Sequence, residues 1–120
     1  LQKYPEYEQE VKVPEKVWPL RIWYMYEQDV CTLIDVNEQE RKVKIRNYTD
    51  RVMFRAFGTV ENPDYKDYQE FLESRCFPES RDKMKLILKD LGLPFYDPIM
   101  IIEKTEGRMA EDNFWVRIER

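Results

Sequence analysis

The last third of the chain constrains the fold most, because the residues that start, stop and redirect helices occur there in order. From Arg75 the sequence runs Arg-Cys-Phe-Pro-Glu-Ser-Arg-Asp and then enters a stripe of Met84, Ile87, Leu88 and Leu91 at helical spacing. Ser80 is the expected N-cap of that helix, and Gly92, which tolerates the left-handed conformation, its expected C-cap. Asp97-Pro98 is a second start signal, since a proline at the first helical position has no N–H to lose. It opens a short apolar run, Ile99 to Ile102, that Gly107 is expected to end. Phe114, Val116 and Ile118 then alternate with Trp115 and Arg117, the two-residue period of a strand.

The front of the chain is β. Leu20, Ile22, Tyr24 and Tyr26 alternate with Arg21, Trp23 and Met25, and Val30 to Val36 forms a second strand-like run. Asn37 to Glu40 is a polar turn, and Arg41 to Tyr48 returns as a third strand. There Val43 and Ile45 face one way while Lys42, Lys44 and Arg46 face the other, so one side is wet. Thr49 to Gly58, with Val52, Phe54 and Phe57, fits a fourth strand or a short helix, and periodicity does not separate the two. Asn62-Pro63 is the expected start of a first helix carrying Tyr65, Tyr68, Phe71 and Leu72, and ending near Arg75. Residues 1–15 hold Tyr4, Pro5, Tyr7, Val11, Val13 and Pro14 among glutamates, which forbids a helix and opposes a buried strand. They read as an extended arm across the domain or a neighbour, or as a frayed terminus.

The expected fold class is therefore α+β: an antiparallel β-meander (17–48), a small three-helix segment (62–105) and a C-terminal strand (113–119) that joins the meander or pairs at its edge. A chain of 120 residues supports one domain with one core, and 42% hydrophobic residues fill it without metals or disulfides. A start at Leu1 rather than Met points to trimming or to an upstream extension. The two cysteines, Cys31 and Cys76, lie far apart and are expected to stay reduced and partly buried. With no long apolar stretch the expectation is a cytoplasmic protein without a membrane partner.

Chemistry is harder to find. There is no histidine, so the commonest general base and metal ligand are both missing, and two separated cysteines do not make a zinc site. Neither metal nor cofactor is expected. The three glycines, Gly58, Gly92 and Gly107, form no phosphate-binding loop. Ser80-Arg81-Asp82-Lys83 matches a Ser-x-x-Lys nucleophile motif, but its companion motifs are absent; Ser80 reads as a cap and Lys83 as solvated. The acidic groups Glu6/Glu8/Glu10, Glu38/Glu40 and Glu111/Asp112 fall in turns and arms, where carboxylates are solvated. Asp112 is the exception to watch: it precedes an aromatic strand and is expected to hold the loop before it through backbone N–H groups. The chain is thus expected not to be an enzyme.

Two surfaces remain. Trp18, Trp23, Tyr24 and Tyr26 are candidate partner-binding residues, because a short meander is expected to bury one face and leave large aromatics exposed. Lys42, Lys44, Arg46 and Arg51, interleaved with Tyr48 and Phe54, are candidates for a nucleic-acid surface. The net charge of −4 makes nucleic acid the lesser expectation, behind a protein partner or a homo-oligomer.

The C-terminal residues also carry a resemblance. Arg75-Cys76-Phe77-Pro78-Glu79-Ser80-Arg81, Leu88, Leu91-Gly92-Leu93, Ile101-Ile102, Gly107 and Asp112-Asn113-Phe114-Trp115-Val116 resemble the N-terminal, non-kinase region of HipA-like proteins of Firmicutes. Small stand-alone proteins of mobile elements in such bacteria are similar over the same segment. The match covers roughly the last third and lacks all of the kinase apparatus. The resemblance implies an accessory, antitoxin-like binding protein that docks on such a kinase.

Overall fold

A computed structural model describes residues 12–120 of the chain. The expected arm at 1–15 falls mostly outside the described residues. Three strands come first: β1 (Leu20–Tyr26), β2 (Asp29–Asn37) and β3 (Lys42–Asn47). A single 3-10 turn, Val52–Phe54, then leads to three helices, α1 (Tyr65–Ser74), α2 (Met84–Leu91) and α3 (Pro98–Thr105). Strand β4 (Phe114–Glu119) follows them. The sheet has the order β3-β2-β1-β4 with every pair antiparallel, so the last strand returns to lie beside the first. This is the expected α+β architecture.

The meander has a defined irregularity. Tyr24 pairs with Thr32 while Met25 pairs with Val30, which leaves Cys31 as an extra residue. The carbonyl of Cys31 accepts the Tyr48 N–H at 2.9 Å, so the bulge also ties down the exit from β3.

The sheet is buried on both faces, which corrects the expectation of one. Ile22, Tyr24, Ile34 and Val36 pack with Tyr68, Phe71, Ile101 and Ile102 of the helices and with Val116. On the opposite face Trp23, Met25, Val30 and Leu33 form a second buried cluster, flanked by Val13, Tyr48 and Trp115. The reason lies in β1, which is apolar at both parities of its alternation. The segment 12–18 lies over this second face: Tyr48 donates its hydroxyl to the Lys12 carbonyl at 2.9 Å, and Arg21 donates to the Pro14 carbonyl at 2.8 Å.

Helix boundaries show which local signals win. α1 is capped by Asp64 rather than Asn62: Asp64 Oδ1 accepts the Asp67 N–H at 2.8 Å, and Asp67 Oδ2 accepts the Asp64 N–H at 3.0 Å. This reciprocal box needs a side-chain acceptor at both ends, and three residues after Asn62 stands Tyr65, which cannot reach back in that way. Ser80 does not cap α2, because Pro78 to Arg81 closes a turn of its own, the Arg81 N–H donating to the Pro78 carbonyl at 3.0 Å. The helix starts after Lys83, which sits at φ 62 with no side-chain cap. Gly92 at φ 74 and the Asp97-Pro98 start both stand as expected. α3 ends one residue before Gly107, on Glu106 at φ 58. Gly107 itself is at φ 61, and a Cβ there would come within 3.1 Å of Val116 Cγ2, so the residue is held to glycine by space and by conformation. The Thr49–Gly58 stretch is neither strand nor α-helix, only the 3-10 turn and its flanking turns, anchored by Phe54 against Tyr26 and Phe114.

Candidate functional site

Asp112 and the two thiols, the groups with the most chemical potential in the sequence, are tied into the fold or buried in it. Asp112 accepts the Phe114 N–H on Oδ1 at 3.0 Å, at the start of the strand that follows it rather than in the loop before it, and takes a two-pronged bond from Arg75 at 3.0 Å on each prong. Arg75 also donates to the Gly107 and Phe114 carbonyls, both at 3.0 Å. The hydrogen bond from Arg75 holds the Asp112 carboxyl below the usual carboxylate range. Arg75, Gly107, Asp112 and Phe114 therefore form one bonded knot between the end of α1 and the start of β4.

The two thiols are free and buried. Burial pushes Cys31 up to about 11 and Cys76 up to about 12, so neither is a thiolate at neutral pH. A thiol reagent of the dithionitrobenzoate type is expected to release no chromophore from the folded protein at pH 8 over minutes. Two equivalents should appear at once in denaturant. Rapid release of one equivalent from the folded protein would contradict this burial.

The four aromatic candidates are drawn largely into the interior. Trp23 is 2% exposed and donates its indole N–H to Glu119 Oε1 at 2.9 Å. Tyr24 is 8% exposed, stacked 4.9 Å from Phe114 and edge-on to Phe71. Tyr26 is half-buried between Phe54 and Phe114. Trp18 is half-buried beneath Lys44, whose Nζ lies 4.6 Å from its ring. They do not form an exposed aromatic patch: Tyr24 and Tyr26 pack on the helix-facing side of the sheet, and the second face, which holds Trp23, is covered.

The basic candidates divide. Lys42, Lys44 and Arg46 are exposed on one side of β3, which is an edge strand of the sheet. Lys42 pairs with Glu40 at 3.4 Å, and Arg46 lies 5.9 Å from the Tyr48 ring. Arg51 belongs to a different neighbourhood, over the Phe54 ring at 5.5 Å.

The feature that sequence reasoning missed is a cleft of about 490 Å³ between α1, the N-terminus of α3 and the β2–β3 turn. Glu38 contributes from the turn, Glu70 and Glu73 from α1, and Asp97 from the α3 cap, against the single lysine Lys66. Tyr65 and Tyr68 supply its aromatic lining. Tyr68 is 1% exposed, and its hydroxyl makes no hydrogen bond among the described residues. Burial, reinforced by Glu38, drives its phenol far above the ordinary value, so it stays a neutral donor and acceptor with neither capacity used. Tyr65 is raised for the same two reasons. Arg41 lies 6.0 Å from the Tyr65 ring, a cation already resting on this aromatic lining.

Each contributor has a local reason to be there. Tyr65 and Tyr68 are one helical turn apart, so both turn to the same side of α1. Asp97 is fixed by its own cap bond to the Ile99 N–H at 3.2 Å. Glu38 sits in a turn where the Asn37 side chain accepts the Glu40 N–H at 3.1 Å. Tyr68 was legible as part of the apolar stripe, but nothing in its spacing tells that its hydroxyl would go unpaired.

Among the described residues no group of His, Cys, Asp and Glu gathers as a metal site, and no helix is long and apolar enough to cross a membrane. Comparison of the chain with protein-family models, curated proteins and solved structures returned no match.

Proposed function

We propose that this protein is a non-catalytic protein-binding module and that the acidic, tyrosine-lined cleft between α1 and α3 is its docking surface. The observation that carries this reading is the cleft's make-up: four carboxylates and two phenols against one lysine, in a concave surface of ligand-binding size. Such a surface complements a basic segment of a partner chain. The nucleophile candidates point away from catalysis, since both thiols are buried and protonated and Ser80 is exposed in a turn of its own. The resemblance in residues 75–116 supplies a candidate partner, a HipA-like kinase that this module would restrain in an antitoxin-like manner.

The test is capture of partners by immobilised protein at moderate salt, comparing wild type with the triple variant Glu38→Gln, Glu70→Gln, Glu73→Gln. All three side chains are exposed, so the variant is expected to fold normally. A single protein held in near-equal amount by wild type and reduced at least tenfold by the variant is the expected result. Equal capture by both would remove the cleft from the account.

A second reading has its own observation: three aligned cations on the exposed side of an edge strand, two of them over the Trp18 and Tyr48 rings. Nucleic acid retained in the same experiment, released steeply by salt and lost in Lys42→Glu, Lys44→Glu, Arg46→Glu, would move the function there.

A further inference from the structure

We infer that the cleft receives one lysine or arginine side chain of the partner, and that the buried Tyr68 hydroxyl is the hydrogen-bond acceptor that receives it. This rests on the docking reading above and adds the identity of the anchoring group.

Two independent observations meet here. The first is charge: Glu38, Glu70, Glu73 and Asp97 outnumber Lys66 and the Arg41 that rests on the Tyr65 ring, while Arg120 nearby is paired with Glu103, which leaves the opening acidic. The second is the unpaired phenol. A hydroxyl enclosed without a partner loses its hydration and gains nothing in return, and native interiors rarely leave one so. Tyr68 is held in this condition by its ring, which packs in the main core with Phe71 and Leu72 of the same helix. Tyr68 lines the acidic cleft, and its enclosed oxygen feels the cleft carboxylates Glu38 and Asp97.

A cationic side chain answers the charge and fills the unused acceptor capacity of the phenol. Its N–H groups donate to the phenol oxygen and its charge is met by the carboxylates. An acidic side chain would satisfy the phenol O–H but face four carboxylates. A neutral one would leave the charge unanswered. Because the hydroxyl is closed from solvent in the free protein, entry requires the exposed side chains at the rim to swing aside. Glu38, Lys66 and Glu70 are all exposed and able to do so.

The experiment is calorimetric titration of the full chain with a hexalysine peptide, and with hexaglutamate as the control, for wild type and for Tyr68→Phe. The expected result is saturable binding of hexalysine by wild type, none of hexaglutamate, and binding at least fivefold weaker in Tyr68→Phe. The variant should also melt higher than wild type by about 3–6 °C, because the orphaned hydroxyl is gone. A purely structural role for Tyr68 would move the melting temperature and leave the peptide affinity unchanged, and that outcome overturns the inference. No binding of hexalysine to wild type overturns it as well. In that case partner capture through the Glu38/Glu70/Glu73 cluster, measured separately above, still decides the docking reading on its own. Spermine binding more tightly than the peptide would assign the cleft to a free polyamine and overturn the assignment to a partner's side chain.

Discussion

Replacing Asp35 by alanine is expected to destabilise the protein by about 3–5 kcal/mol, the largest effect of any single substitution considered for this chain. Arg21 and Asp35 face each other directly across β1 and β2. Arg21 Nε donates to Asp35 Oδ1 at 2.7 Å and its Nη2 to Oδ2 at 3.0 Å, while Nη1 reaches the Pro14 carbonyl. The Arg21 side chain is fully enclosed and that of Asp35 nearly so. Removing the carboxylate strands a guanidinium on the covered face of the sheet, beside the Trp23 cluster and with Lys44 paired opposite position 35 on the next strand. That charge cannot neutralise itself, since arginine keeps its proton at any working pH. Urea denaturation followed by tryptophan fluorescence measures the loss, which corresponds to a fall in melting temperature of roughly 10–20 °C.

The double replacement Arg21→Met, Asp35→Leu should recover most or all of that loss, because apolar residues of similar volume carry no desolvation penalty. An Asp35→Ala protein within about 1 kcal/mol of wild type would mean that water reaches the guanidinium, contrary to its enclosure.

The second large effect is at Arg75. Its guanidinium bonds the Gly107 carbonyl, both Asp112 oxygens and the Phe114 carbonyl, and lies 5.9 Å from the ring centres of Tyr24 and Phe114. Arg75→Met leaves two backbone carbonyls without their donor and frees the loop that feeds β4, at an expected cost of about 2–4 kcal/mol. Asp112→Asn should cost less, about 1–2 kcal/mol, since the Asp112 side chain is 32% exposed and solvent screens part of the pairing.

The two variants differ in their response to acid. The folded-state pKa of Asp112 is depressed, chiefly by its hydrogen bond with Arg75. Its contribution is therefore fully present above the unfolded value near 4 and is lost as pH falls through the lower folded value. The gap in stability between wild type and Asp112→Asn should be widest at neutral pH and close below about pH 4. Arg75→Met should remain less stable than wild type at every pH where the fold persists, because its carbonyl bonds do not titrate. A gap for Asp112→Asn that is constant from pH 7 to pH 3 would contradict the assigned pairing.

Most of the fold was legible because its signals are local. The two-residue alternation in β1 and β4, the stripe of α2, Gly92 and the Asp97-Pro98 start each act within a few residues, and each stands. The misses share a cause: a competing interaction close by. Ser80 lost its role to the Pro78–Arg81 turn, and Asn62 lost to an aspartate pair able to reciprocate. The covered second face was hidden because alternation tells which residues share a side, and not what will lie over that side. Once 12–18 crosses there, Trp23 is core, and Arg21 with Asp35 becomes a buried pair.

The cleft was illegible for a different reason. Glu38 and Asp97 meet only through the packing of α1 and α3 against the sheet, and either acid taken alone is an ordinary turn or cap residue. Tyr68 reads in sequence as one member of an apolar stripe. Its unpaired oxygen is a property of the assembled interior and of no shorter segment.

The proposed docking sets a cationic side chain of the partner against the two tyrosines of the cleft. The most direct measurement is a titration of ring-labelled tyrosine protein with hexalysine, followed by NMR. Saturable shifts of the Tyr65 and Tyr68 ring signals are expected, with Tyr26 and Tyr48 unmoved. Shifts confined to Tyr48, or none at Tyr65 and Tyr68, would contradict the proposed docking.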